Sequence, residues 1–294
     1  MSLQVYLFLI LQFFVANLSA QVVPVERTTI GNAVDHVLGE LSGMIQSDAY
    51  PDKFWTHNDS GDLANIYLMN SKGELEGTYR LEGIDATDME DVAKYRLDGR
   101  TYLVLADIGD NRAVRKHISL YIFEEPKWKV GQKKYQIPRS QIKVINLKYS
   151  DKARDAEAIF IDPVDLSCYL ISKRDFNVGV YSFPILQEDG AELTLQRQWT
   201  LPFTFVTSAD IASKGEAVVI KNLTTIYYWK RKEGATIRET LNQPFETLEY
   251  SPEPQGEAIC FDKDATVFYT ISERPFGLYA YLYRYVIKSN ESDK

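Results

Sequence analysis

Short runs of β-branched and aromatic residues, broken every few positions by Gly, Asp, Asn or Pro, follow one another along the chain from about residue 20 onward. Apolar residues at helical spacing are nearly absent, and nineteen tyrosines with fourteen phenylalanines suit pleated strands better than helices. The runs also repeat as a unit. An acidic residue leads into small and apolar ones, a turn follows, then an apolar strand ending in polar residues, then a strand of the Ile-Tyr type.

Five units can be laid side by side. Their openings are Gly39-Glu40-Leu41-Ser42-Gly43-Met44, Asp88-Met89-Glu90-Asp91-Val92-Ala93, Asp155-Ala156-Glu157-Ala158-Ile159-Phe160, Ser208-Ala209-Asp210-Ile211-Ala212 and Gln255-Gly256-Glu257-Ala258-Ile259-Cys260. A period of roughly 40 to 50 residues with several strands per unit predicts an all-β fold, a single β-propeller of about five four-stranded blades over residues 21–288. A six-bladed ring and a β-sandwich are the rival architectures. After Tyr285 the last unit lacks a fourth strand, and residues 21–29 are expected to supply it, closing the ring by pairing the chain ends. The second unit is longer because it carries a basic stretch, 127–143, interrupted by Trp128, Val130, Tyr135 and Ile137. It reads as the solvated face of a long hairpin.

The two ends bear on compartment. Residues 5–15 are apolar apart from Gln12, and Asn17-Leu18-Ser19-Ala20 closes the run with small residues. That is too short for a permanent span and predicts a signal peptide over 1–20. No later stretch is apolar enough for a membrane helix, and the polar tail 289–294 excludes a hydrophobic anchoring signal. A secreted, extracellular protein, monomeric, is therefore expected. The sequons at Asn58, Asn222 and Asn290 agree with a glycoprotein, Asn290 being the best acceptor. Cys168 and Cys260 each sit in an apolar run, in non-adjacent units, and read as buried packing residues rather than a bridge. A net charge of −8 argues against a nucleic-acid surface and suits cations or cationic partners.

In a propeller the first strand of each blade lines the channel, so Glu40, Glu90, Glu157, Asp210 and Glu257 should converge on the axis. Crowded carboxylates repel, and a hard cation such as calcium relieves that repulsion in an all-oxygen cage. Equally, the same acids can accept hydrogen bonds from neighbouring blades' amides and stitch the ring together. The ends of the second strands fall at the same rim: His57-Asn58-Asp59, Asp107-Ile108-Gly109-Asp110-Asn111, Lys173-Arg174-Asp175, Lys221-Asn222 and Ser272-Glu273-Arg274. Here Asp107 joins the metal candidates, while Lys173, Arg174, Lys221 and Arg274 are candidates to grip a small anionic substrate. His57 is the candidate general base by its titration range, and Glu90 is its companion for acid–base work, since only one of Glu90 and Asp91 can face the channel. With three histidines and no spaced pair, zinc is not indicated.

The openings Met89-Glu90-Asp91-Val92-Ala93, Ala156-Glu157-Ala158-Ile159 and Gly256-Glu257-Ala258-Ile259, with Trp55-Thr56-His57-Asn58-Asp59-Ser60-Gly61 and Asp107-Ile108-Gly109-Asp110-Asn111, resemble those of exported phytase-like and esterase-like β-propellers. The wider relatives of that family hold calcium in the channel and hydrolyse phosphoesters or lactones. The resemblance implies that Glu90, Glu157, Asp210 and Glu257 contribute to a cation site, and Lys173 or Arg274 to substrate. The chain departs from true phytases in lacking a dense set of phosphate-binding Lys and Arg. It also lacks a paraoxonase-type histidine dyad.

Two functions stay open on the sequence. One is a calcium-dependent hydrolase of a small phosphoester, ester or lactone at the channel mouth. The other is a non-catalytic propeller that docks an extracellular protein or glycan through rim aromatics such as Trp128, Tyr149 or Trp229.

Overall fold

The structure is a computed structural model that describes residues 20–274 and 277–288. The expected leader, apart from Ala20, and the tail with its sequon at Asn290 lie outside the described residues. Five separate sheets, antiparallel in their blade strands, make five blades; the inner strand is buried throughout in blades 1, 3, 4 and 5 and over its first five residues in blade 2. Blade 1 runs through Leu41–Gln46, Lys53–Asn58, Asn65–Asn70 and Leu75–Leu81, and blade 2 through Met89–Leu97, Arg100–Asp107, Ile118–Glu124 and Lys143–Tyr149. Blade 3 comprises Ala156–Ile161, Ser167–Ser172, Val178–Pro184 and Arg197–Leu201, and blade 4 Val206–Ile211, Ala217–Asn222, Ile226–Lys230 and Glu246–Leu248. Blade 5 has Gly256–Phe261, Val267–Ser272 and Ala280–Ile287 from the chain's end, and takes its fourth strand, Val25–Ala33, from the chain's beginning. The protein is a five-bladed β-propeller. Among the described residues no helix is long and apolar enough to cross a membrane.

Closure therefore happens as the unpaired last unit required, but a few residues later than 21–29. Two of those residues do something else. Val22–Val23 pairs in parallel with Glu246–Leu248 at the outer edge of blade 4. Two further segments behave alike. The basic stretch does not form a solvated hairpin: Lys134–Ile137 leaves blade 2 and pairs in parallel with Leu75–Leu81 of blade 1. Ala191–Leu195 leaves blade 3 and pairs in parallel with Lys143–Tyr149 of blade 2. Each staple reaches back to the preceding blade, covering an edge that would otherwise expose unpaired amides.

The apolar core is divided among the seams between blades rather than gathered at the centre. Aromatic pairs fill these seams, such as Tyr79 stacked on Tyr135 of the staple at 4.2 Å and Phe203 on Tyr227 at 3.8 Å. Cys168 and Cys260 are free and buried there. The rim aromatics named above belong to the same packing. Trp229 is buried, Tyr149 lies edge-on against Tyr181, and Trp128 is half-buried under the Lys53 ammonium, 4.5 Å from its ring.

Polar stitching crosses the seams near the axis. Asp210, expected as a metal ligand, instead accepts the Phe261 amide of blade 5 at 2.7 Å and its own neighbour's, Ile211, at 2.8 Å. Burial pushes its carboxyl up to about 7 against the pull of those amides. Asp91 does likewise for the amides of Ile159 in blade 3 and Val92, both at 2.9 Å. Replacing Asp210 by Ala leaves two buried donors without partners, each costing about 1–3 kcal/mol. Urea unfolding of Asp210→Ala is expected to show a stability loss of about 2–4 kcal/mol with an unchanged m-value; a loss within error of zero contradicts the stitching role.

Candidate metal centre at the channel mouth

All five blades share one irregularity that decides what faces the channel. Between the first and second strands the register slips by one residue near the start of the inner strand. The skipped residues are Ser42, Glu90, Glu157, Thr207 and Glu257. A bulge of this kind bends the strand and re-aims its extra side chain. Where that residue is a hydroxyl it ties the seam. Ser42 Oγ donates to the Glu90 carbonyl at 2.9 Å, and Thr207 Oγ1 to the Gly256 carbonyl at 3.5 Å. Where it is a glutamate, the carboxylate meets its neighbours.

Glu40 lies two residues ahead of the bulge in blade 1, and Asp210 three beyond it in blade 4, so neither is equivalent to the glutamates. Glu40 is exposed on the lip. The residues matching it in blades 2 and 3 are Asp88 and Asp155, because i and i+2 point the same way along extended backbone. The repeated Asp-x-Glu, Asp88-Met89-Glu90 and Asp155-Ala156-Glu157, was the signal for these two. Asp59 and Glu273, at the ends of second strands, complete the set.

The oxygens gather in two overlapping groups. Asp59, Asp88 and Glu90 can each place one ligand atom within 4.8 Å of the others', and so can Glu90, Asp155 and Glu157. Glu90 belongs to both. Burial, and then the charges of Glu157, Asp59 and Asp88, push its carboxyl well above the ordinary range. Asp88 is raised to about 6 by burial and by Asp59. Burial also raises Glu157, helped by Glu257 and Asp155 and opposed by Lys173. Glu257 is raised as well, by burial and then Asp59 and Asp155, while burial with Glu257 and Asp59 brings Glu273 to about 7. Two buried oxygens of the set, Asp88 Oδ1 and Glu157 Oε2, have no hydrogen-bond partner among the described residues. Glycine at 109 makes room for the cluster, since a Cβ there would run into the Glu90 and Asp88 carboxylates.

Cations are few at the mouth. Lys173 Nζ pairs with Glu157, and although burial opposes its charge, Glu157 and Glu257 hold its ammonium above the usual range. Arg174 Nε pairs with Asp155 at 2.6 Å from a half-exposed position. Arg274 is spent differently, donating to the carbonyls of Val34 and Asp35 at 3.2 Å, so it secures the loop entering blade 1. Asp107 is likewise occupied. It pairs with Arg115 at 2.7 Å and accepts from the Thr87 and Asp88 amides and the Tyr121 hydroxyl, so it holds the Asp88 turn in place and does not face the mouth.

His57 and Lys221 occupy one equivalent position in two blades, each paired with the residue just past the bulge: His57 with Gly43, Lys221 with Ser208. Side chains there point into the seam toward the next blade. His57 is completely buried against Gly43, whose missing Cβ makes room for its Nε2, and burial lowers its pKa to about 4. It does not reach the mouth and is no general base. Lys221 is also completely buried. Its Nζ donates to the Gly256 carbonyl and, at 3.2 Å, to that of Asn222, and it lies 5.1 Å from the Tyr250 ring centre. Neither residue can touch a substrate in the channel.

No family model matches the chain, and a search of curated proteins finds no match. Among solved structures, the chain is similar to the PQQ-bound form of aldose sugar dehydrogenase from Streptomyces coelicolor, with a TM-score of 0.48 and 8% identity over 90% of this chain and 98% of that one.

Burial lowers the Lys221 pKa to about 8, against about 10.4 in an unfolded chain. The folded state thus binds fewer protons between these values, and stability should rise with pH across that window. Compared with Lys221→Met, the wild type is expected to gain about 3 kcal/mol between pH 8 and 10.5 in denaturant titrations. A parallel pH dependence of the two proteins would show that Lys221 is charged and accommodated.

Proposed function

We propose that the channel mouth binds a divalent cation, calcium in an exported protein, and that the chain is a calcium-dependent hydrolase of a small phosphoester, ester or lactone. One observation carries the reading: two carboxylate groups joined through Glu90, with buried oxygens of Asp88 and Glu157 lacking any partner. An orphaned buried acceptor costs stability, and carboxylates packed together cost more; a hard cation relieves both. The donor set is all oxygen and irregular, which suits calcium better than zinc or magnesium. Asp59, Asp88, Glu90, Asp155 and Glu157 would hold the ion, with Glu257 and Glu273 adding negative potential.

A calcium ion bound there supplies Lewis acidity toward an ester oxygen and lowers the pKa of attacking water. The protein's own groups then have assigned roles. Lys173 and Arg174, paired with Glu157 and Asp155, stand beside those ligands, where an anionic substrate group would meet them. Glu157 holds Lys173 in that position.

Calorimetric titration of the protein with calcium, alongside melting with and without chelator, tests the first step. Binding with a clear rise in Tm is expected, and Glu157→Gln and Glu90→Gln should abolish it while the fold persists. Absence of binding returns the acids to a stitching role and sinks the hydrolase. Gly109→Ala, which fills the space beside Glu90 and Asp88, is expected to weaken calcium affinity by at least about tenfold, near 1.4 kcal/mol. Calcium-dependent turnover in a panel of phosphomonoesters, aryl esters and lactones, lost in Asp88→Asn, tests the second.

A further inference from the structure

The loops joining second and third strands all leave the blades at the end where the acids gather, and each carries an exposed apolar side chain. These are Leu63 in blade 1, Val114 in blade 2, Phe176 in blade 3, Leu223 in blade 4 and Leu278 with Tyr279 in blade 5. Their exposures are 63%, 69%, 89%, 39%, 51% and 61%. Phe205, immediately ahead of the inner strand of blade 4, and Val34, immediately after the fourth strand of blade 5, are exposed as well. Of the thirteen large apolar residues exposed among those described, eight therefore stand around the mouth. Single exposed apolar residues are ordinary, but one per blade at the same loop is a ring. The turns joining first and second strands at the other end carry Val164 and no such set.

We infer that this end of the propeller docks on a phospholipid surface, with the loop tips entering the headgroup layer around the mouth. The spacing of the tips points to that occupant rather than to a protein. Separate tips spread round a ring make no continuous groove for a peptide or helix, whereas a bilayer has no fixed relief to match and accepts isolated apolar side chains at its headgroup boundary. The centre of the ring complements lipid through charge. Its carboxylates, loaded with the cation proposed above, meet headgroup phosphates; this contact rests on the cation reading, and the apolar tips do not. Without the ion, a chain of net charge −8 is repelled by anionic lipid, so calcium should strengthen docking.

Cosedimentation of the full-length protein with phosphatidylcholine–phosphatidylserine vesicles, in calcium and in chelator, tests this against the variant Leu63→Ser, Val114→Ser, Phe176→Ser. All three side chains are exposed, so the variant should fold and bind calcium as the wild type does, which calorimetry and melting check. The expected result is calcium-dependent partition of the wild type that falls about a hundredfold in the triple variant. Wild type that binds calcium yet stays in the supernatant overturns the inference, as does a triple variant that partitions like the wild type. Capture of a protein partner through these loops, with vesicles left unbound, overturns it also. Vesicle binding that depends on the three residues but not on calcium upholds the docking and fails the cation reading alone.

Discussion

In every blade the pairing of the first two strands skips one residue of the inner strand, and the mouth of the channel follows from that slip. A regular strand would alternate its side chains between the two flanking seams. The extra residue breaks the alternation and turns one side chain out of the packing toward the axis. What happens next depends on chemistry at a single position per blade. Serine and threonine donate to a carbonyl of the next blade and disappear into the ring, whereas glutamate has no proton to give in its charged form and is driven against other glutamates. Blades 2, 3 and 5 therefore supply the glutamates of the acidic centre, joined by Asp59 from blade 1, while the hydroxyls of blades 1 and 4 close the seams beside it.

Such a centre is an electrostatic load on the ring. Glu90, Glu157 and Glu257 are all buried and all raised, and Lys173 answers directly only one of them. The remainder of the fold resists the outward push in three ways. The fourth strand of blade 5 comes from the other end of the chain, so the ring cannot open without separating the termini. Three parallel staples bind blades 1, 2 and 4 to segments of the blades that follow them. Asp91 and Asp210, neither of them at the bulge, turn their carboxylates to neighbouring amides across the seams. The same residue type thus does opposite work depending on whether amides or other acids surround it.

Position relative to the bulge also separates the titratable groups that meet solvent from those that do not. His57 and Lys221 stand one pairing beyond it and point into seams, and burial lowers the pKa of both, to about 4 and about 8. The chemistry left to the mouth is that of carboxylates, a lysine and an arginine, encircled by loops with apolar tips. An oxygen-lined basin with an apolar collar is suited to a charged group presented on a greasy support.

The number of blades, their strand order and the closure by the chain ends were legible along the chain, because strand periodicity and repeat spacing are local properties that survive without coordinates. Glu90, Glu157 and Glu257 were legible for the same reason, each opening a unit with the same small-apolar neighbours. Glu40 and Asp210 were misplaced because alignment by residue type tolerates a slip of two or three positions, whereas the bulge does not, and a slip moves a carboxylate from the axis to the lip or into a seam. The direction of His57, Lys221 and Arg274 could not be read at all. All three end a polar run at the proper rim, and only the register against the adjoining strand decides whether such a side chain faces water, a seam or a loop carbonyl. The parallel staples, too, are a tertiary decision, since 134–137 and 191–195 carry strand character without any mark of which edge they will join. The sequence alone determined a ring of repeated strands with acids at its opening; how many of those acids meet, and what stands beside them, was settled by one skipped residue per blade and by the packing of blade on blade.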